Sequence, residues 1–111
     1  MATKPYKIRY LPASQADLLG IFEYISPLNM SAANHLLDAF DNEISKLGSM
    51  PRLGKVIDDY ELMSKGYRVL IVEKHYVFYV IEEDNLSVKV HRILSSRQEY
   101  LQWLTTAIIE D

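Results

Sequence analysis

The sequence predicts an α+β fold with the element order β-α-α-β-β-β, and three observations support this prediction. Residues near the N-terminus alternate between apolar or aromatic and charged, as in a half-buried strand. Two neighbouring segments then repeat apolar residues at three- and four-residue steps, which is typical of amphipathic helices. Three closely spaced runs rich in β-branched and aromatic residues follow, and short links favour an antiparallel meander. We therefore expect one twisted antiparallel sheet with a helical hairpin packed on one face.

The first strand and the first helix are adjacent. Alternation covers 5-PYKIRYL-11, and Pro12 is expected to close the strand. Helical spacing begins at residue 13, where Ser14 and Asp17 have the spacing of a capping box with Asp in place of Glu. The sequence therefore predicts a helix over residues 13–26.

The second helix is predicted to begin at a Ser31 cap and to stop at Gly48 and Pro51. A short link to the first helix predicts an antiparallel hairpin whose apolar stripes cover the sheet. The residues expected in the core are Leu18, Phe22, Leu37, Phe40 and Ile44.

The second half of the chain is predicted to be a loop and a meander. Residues 51–66 are expected to form a long loop, a kind of segment that is often functional. The strands are predicted at 67–74, 75–82 and 86–94, and the middle one is apolar enough to be covered on both faces. Residues 96–104 are expected to form a short helix or an extended tail. The sequence leaves open whether Ile108 and Ile109 pack back on the sheet or belong to a frayed end.

Composition limits the class of protein. The length of 111 residues predicts a single domain over 1–111, and 49% hydrophobic residues predict a globular fold. No apolar run is long enough for a membrane span or a signal peptide, so we expect a cytoplasmic protein. Cysteine is absent and no His/Asp/Glu spacing indicates a metal site, so we expect neither a metal nor a cofactor. A net charge of −3 argues against a protein that holds nucleic acid unaided.

The stretch 88-VKVHRILSSRQEYLQW-103 contains the residues that suggest a function. Strict alternation along a strand would place Arg92 on the same face as the valines, with His91 on the other face. Arg92 then has a structural explanation, in which its stem covers the core. Arg68 also has a structural explanation, in which its guanidinium pairs with a carboxylate such as that of Asp17 or Glu43.

Nearly the whole chain resembles the RelE/ParE superfamily, the toxins of bacterial type II toxin–antitoxin systems. The resemblance lies in 6-YKIRYLPASQADLLGIFEYIS-26, in a Gly-Tyr-Arg that enters the meander, and in the ending V-x-R-I-L-x-x-R-x-E. It implies one of two activities, because RelE-like members cut messenger RNA in the ribosome whereas ParE-like members inhibit DNA gyrase. The ending looks more like the ParE branch, and Val77 stands where RelE-like nucleases place an arginine.

The resemblance leads us to favour a ParE-like toxin of a plasmid-stabilising module. The residues expected to bind the target are Arg92, Arg97, Tyr100 and Trp103, since arginine and aromatic side chains often anchor interfaces. The alternative is a ribosome-dependent endoribonuclease. Its catalytic set would be Lys55, Arg68, His91, Arg92 and Arg97.

Partners follow from the same resemblance. We expect a cognate antitoxin that orders on binding, with DNA gyrase, or alternatively the ribosome and its messenger RNA, as the target. A homodimer, or a heterotetramer with the antitoxin, is compatible with this assignment, and no membrane is involved. A third alternative is a non-toxic homologue that only binds a partner, because toxins of this superfamily are commonly basic and this chain is not.

Overall fold

The computed structural model describes residues 5–95 and 102–103. Two predicted contact residues, Arg97 and Tyr100, lie outside this part of the chain, and so does the 105–111 tail. The elements are β1 (Lys7–Tyr10), α1 (Pro12–Ile25), α2 (Met30–Ser45), a 3₁₀ turn (Lys46–Gly48), β2 (Lys55–Val56), α3 (Tyr60–Ser64), β3 (Tyr67–Val72), β4 (His75–Glu82) and β5 (Ser87–Leu94). No helix in the described part is both long enough and apolar enough to span a bilayer.

The predicted α+β fold is confirmed, with helices packed on a five-stranded sheet in the order β1-β5-β4-β3-β2. β3, β4 and β5 form the expected antiparallel meander. The expectation of a wholly antiparallel sheet is wrong, because β1 runs parallel to β5 with Tyr10 opposite Val90. Most of the chain lies between these two strands, so no hairpin turn dictates their relative direction.

Both helices begin earlier than predicted. α1 starts at Pro12, whose fixed φ suits the first helical position and whose missing N–H needs no partner there. The predicted capping box is wrong, since α1 has no side-chain cap and the Ser14 hydroxyl donates to the Leu11 carbonyl at 2.8 Å. α2 is capped by Asn29, whose side-chain oxygen accepts from the Ala32 N–H at 2.9 Å, and not by Ser31.

The main core lies between the helical hairpin and one face of the sheet. Phe40 and Ile44 are buried there as predicted, whereas Leu18 is only partly buried. Phe22 and Leu37 are also only partly buried. The predicted residues therefore lie on the side of each helix that faces the core, but fewer of them are fully buried than predicted. The buried members of this cluster are Leu36, Phe40, Ile44, Leu47, Leu70, Val72, Val77, Tyr79, Val88, Val90 and Ile93.

A second, smaller core covers the opposite face of the sheet. Its buried residues are Ile57, Leu62, Phe78 and Leu94, with Tyr67, Val69, Tyr76 and Trp103 packed against them. Leu62 comes from α3, which lies in the segment predicted to be a loop; Asp59 caps this helix by accepting from the Leu62 N–H at 3.1 Å. β4 is therefore buried on both faces, as its composition predicted.

Candidate target-binding site

A β-bulge in β5 sets the directions of the basic residues. Phe78 pairs with Arg92 and Tyr79 with Val90, so His91 is the extra residue. The bulge breaks the alternation on which the prediction for Arg92 depended. After Val90, the next residue of β5 in the helix-side core is Ile93. Arg92 therefore does not continue the valine row.

Arg92 instead forms a bidentate ion pair with Asp17 of α1. Its Nε and one terminal nitrogen donate to the two carboxylate oxygens at 2.8 and 2.9 Å. The backbone N–H of Ile93 donates to the same carboxylate at 2.9 Å. We call this arrangement of Asp17, Arg92 and the Ile93 N–H the Asp17 clamp. Charge-assisted, two-point geometry of this kind is among the strongest hydrogen bonding available to a protein.

The clamp also completes the edge of the sheet. β1 ends at Tyr10, opposite Val90, while β5 continues to Leu94. The Asp17 carboxylate accepts from the Ile93 N–H beyond the point where strand pairing stops. The Asp17 side chain is only 15% exposed, so this backbone donor would be costly to leave without an acceptor.

His91 belongs to an aromatic cluster on the face of the sheet opposite the α1–α2 hairpin. Its Nδ1 lies 3.1 Å from the Tyr67 hydroxyl, and the two rings make an edge-to-face contact. Trp103 packs against Tyr67 and Phe78 with ring-centroid distances of 5.2 and 4.6 Å. Burial, and secondarily the positive charge of Lys89, lower the pKa of His91 below its ordinary 6.5. The imidazole is therefore neutral near pH 7.

Arg68 holds the loop that precedes β2. Its Nε donates to the Gly54 carbonyl at 3.2 Å, and a terminal nitrogen donates to the Arg52 carbonyl at 3.3 Å. The predicted pairing of Arg68 with Asp17 or Glu43 is wrong, because the Arg68 guanidinium binds these backbone carbonyls and Asp17 is used by Arg92.

The Tyr79 hydroxyl holds the same loop through two further hydrogen bonds. It accepts from the Gly54 N–H at 2.9 Å and donates to the Pro51 carbonyl at 2.7 Å. Burial raises the pKa of Tyr79, which keeps the donating proton in place. A Cβ at position 54 would lie 2.6 Å from the Tyr79 oxygen, so only glycine fits there.

Of the proposed ribonuclease residues, the four that the structure describes are not brought together around one point. Tyr67 contacts His91. Arg68 follows Tyr67 directly in β3, and because neighbouring residues of a strand point to opposite faces, Arg68 points away from His91. Lys55 lies on the edge strand β2, where it pairs with Val69 of β3, and β4 and β3 stand between β2 and β5. Three strand spacings separate Lys55 from Arg92, about 14 Å.

An open groove of about 960 Å³ lies between α1 and the end of β5. We call it the α1–β5 groove. Two predicted contact residues, Arg92 and Trp103, line it together. Sequence reasoning missed Tyr24, which lines the groove with 77% of its surface exposed. The signal for Tyr24 was weak, because one exposed aromatic residue on a helix is ordinary.

Fold and groove together define a small α+β protein with a concave, aromatic-lined surface suited to a macromolecular partner. The family model for the ParE toxin of the type II toxin–antitoxin system parDE matches residues 8–100 of the sequence. The chain therefore belongs to the ParE toxin family.

Solved structures that share its fold include two toxin–antitoxin systems. The chromosomal ParDE toxin–antitoxin system from P. aeruginosa matches with a TM-score of 0.67 and 14% identity, over 83% of this chain and 97% of that one. The RelBE2 toxin–antitoxin complex from Mycobacterium tuberculosis matches with a TM-score of 0.57 and 22% identity, over 81% and 96% of the two chains. No curated protein sequence matches the chain.

Replacement of Asp17 tests the clamp. Asp17→Ala leaves the Ile93 N–H without this acceptor and Arg92 without this carboxylate, so we expect the free energy of unfolding to fall by about 2–3 kcal/mol. Asp17→Asn keeps an acceptor oxygen and should cost about half as much. Glu43→Ala is the control, since it removes an exposed pair with Lys46 and should cost about 0.5 kcal/mol or less. Equal losses for Asp17→Ala and Glu43→Ala in urea titrations would refute the clamp.

The half-buried His91 makes the free energy of unfolding depend on pH. Its pKa is lowered in the folded state, so the unfolded chain binds more protons as the pH falls below 6.5. We expect the free energy of unfolding to decrease from about pH 7.5 to about pH 5. His91→Gln should flatten this slope, whereas His35→Gln, at an exposed position, should retain it. Matching slopes for the wild type and His91→Gln would count against this account.

Proposed function

We propose that this member of the ParE toxin family inhibits DNA gyrase by binding it, and that an antitoxin neutralises it in a plasmid-stabilising module. The observation that carries the proposal is the α1–β5 groove, where Arg92 and Trp103 lie beside the exposed ring of Tyr24. Large aromatic and arginine side chains dominate the energetics of protein interfaces. Arg97 and Tyr100 follow β5 closely in the sequence, and we include them in the target-binding set.

The alternative, a ribosome-dependent endoribonuclease, receives less support from the described residues. RNA cleavage needs a base, a cation for the phosphorane and a proton donor around one phosphate. His91 is packed against Tyr67, and Arg68 binds loop carbonyls on the other face of the sheet. Arg92 is committed to Asp17. These commitments favour a binding role over phosphodiester chemistry.

The proposal includes an antitoxin as partner. Both structural neighbours are toxin–antitoxin systems, and each is matched over nearly its full length. Exposed apolar residues such as Leu19 and Leu28 on the helical hairpin give such a partner apolar surface to cover. A segment that orders as it binds is suited to wrapping this kind of surface.

Controlled expression tests the target. We expect wild-type protein to cause filamentous cells and a DNA-damage response, and purified protein to inhibit gyrase supercoiling. An immediate stop in translation, with messenger RNA cut inside ribosomes, would contradict the proposal. Normal growth would favour a non-toxic homologue.

The same assays test the site through Arg97. An arginine anchor contributes about 2 kcal/mol at an interface, so Arg97→Ala should weaken gyrase inhibition roughly 30-fold. Its circular dichroism spectrum and unfolding midpoint should match the wild type. Arg9→Ala is the control, because Arg9 lies on β1, away from the groove, and this variant should remain fully toxic. A folded Arg97→Ala variant with undiminished toxicity would overturn the site assignment.

A further inference from the structure

The short strand β2 covers only part of β3 and leaves an open edge beyond it. It pairs with Arg68 and Val69, whereas β3 continues through residues 70–72. The chain before β2 leaves the line of the strand, because the Gly54 N–H donates to the Tyr79 hydroxyl of β4. In the described part of the chain, no strand therefore lies beside residues 70–72 on the side away from β4.

The hairpin between β3 and β4 determines which backbone groups face this open edge. Its two turn residues, Glu73 and Lys74, have φ values of 49° and 70°, and a type I′ turn requires positive φ at both. The flanking residues Val72 and His75 are then a hydrogen-bonded pair, and the pairs alternate from there along the ladder. The N–H and C=O of Ile71 therefore point away from β4, into the open edge. Such an edge is a template for an added strand.

An acidic cleft of about 400 Å³ lies between this edge and α2. Three carboxylates line it, from Asp38, Glu43 and Glu73, and no lysine or arginine does. Glu43 pairs with Lys46 at 2.7 Å, and Glu73 lies 3.6 Å from the exposed His35. Asp38 is exposed on α2 and forms no ion pair with another described residue. The cleft therefore attracts positive charge.

The side chains around Ile71 define the pattern that a bound strand needs. Leu70 and Val72 belong to the main core beneath the helical hairpin, so the Ile71 side chain points to the opposite face, where it is 56% exposed. A residue paired with Ile71 would lie beside that side chain, and an apolar residue suits this position. The residues before and after it would point towards α2 and Asp38, where basic residues are suitable.

We propose that the open edge of β3 and the adjoining cleft, together the β3-edge site, bind an extended segment of another protein with alternating basic and apolar residues. The segment adds one short strand through hydrogen bonds with the N–H and C=O of Ile71. One of its basic side chains forms an ion pair with Asp38. The cleft shares no lining residue with the α1–β5 groove, and the assignment does not depend on which target the toxin has.

A nuclear magnetic resonance titration of the full-length protein with two short peptides tests the edge and its charge together. The probe has the core KVRVK between Gly-Ser ends, and the matched control has EVEVE in the same frame. We expect KVRVK to shift the Ile71 amide resonance saturably. It should bind at least about tenfold more tightly than EVEVE, because a charge-assisted hydrogen bond to Asp38 needs a cation.

Two charge reversals on α2 test the assignment to Asp38. Asp38→Lys should weaken the binding of KVRVK at least about tenfold. Asp41→Lys changes the net charge equally, but Asp41 is exposed outside the cleft lining, so this control should retain the wild-type affinity within about twofold. The circular dichroism spectra of both variants should match that of the wild type.

Four results would overturn the proposal. The first is the absence of a saturable shift at Ile71 with up to about 5 mM KVRVK. The second is equal weakening by both charge reversals, which would show a general effect of net charge. The third is binding of EVEVE as tight as that of KVRVK, which would make an acidic segment the occupant. The fourth is a shift at Ile71 that grows with protein concentration alone, which would identify a second copy of this chain.

The comparison of the two peptides uses the wild-type protein. It therefore decides the proposal even if Asp38→Lys does not fold.

Discussion

The carboxylate of Asp17 joins the helical hairpin to the last strand of the sheet. It accepts two hydrogen bonds from Arg92 and one from the Ile93 backbone, at the point where β1 has ended and β5 continues. The bulge at His91 places Ile93, and not Arg92, in the helix-side row of Val88 and Val90. This contact and the packing of Leu18, Ile21 and Ile25 on the main core together hold α1 against β5, and so shape the groove between them.

The contacts of three basic residues favour a binding function over RNA cleavage. Arg92 forms an ion pair with Asp17, Arg68 holds the loop at Gly54, and His91 is half-buried and neutral beside Tyr67. Each of these residues thus has a structural contact, and Arg68 points to the face of the sheet opposite His91. Family membership and the aromatic groove both agree with a protein that acts by binding a large partner.

Much of the fold could be predicted from periodicity. The stripe through Phe40 and Ile44 and the almost wholly apolar β4 correspond to buried elements. The direction of β1 could not be predicted, because it depends on contacts with a strand distant in sequence. Asp17 fitted a local capping pattern, whereas its real partner, Arg92, lies 75 residues away. The helix α3 had a local signal in Asp59, which was interpreted as part of a loop.

The candidate site was predictable in composition and not in geometry. Arg92 and Trp103 were identified as residue types that bind partners, and both line the groove. The bulge that takes Arg92 out of the row of Val88 and Val90 could not be predicted from the alternation of apolar and polar residues.

The most direct test of the account is the rate of amide hydrogen exchange at Ile93. If Asp17 accepts from this N–H, Ile93 should exchange as slowly as amides in the middle of β4, through global unfolding alone. The protection should disappear in Asp17→Ala under conditions where the β4 amides remain protected. Fast exchange of Ile93 in the wild-type protein would show that the edge of β5 is open and that the clamp does not hold α1 in place.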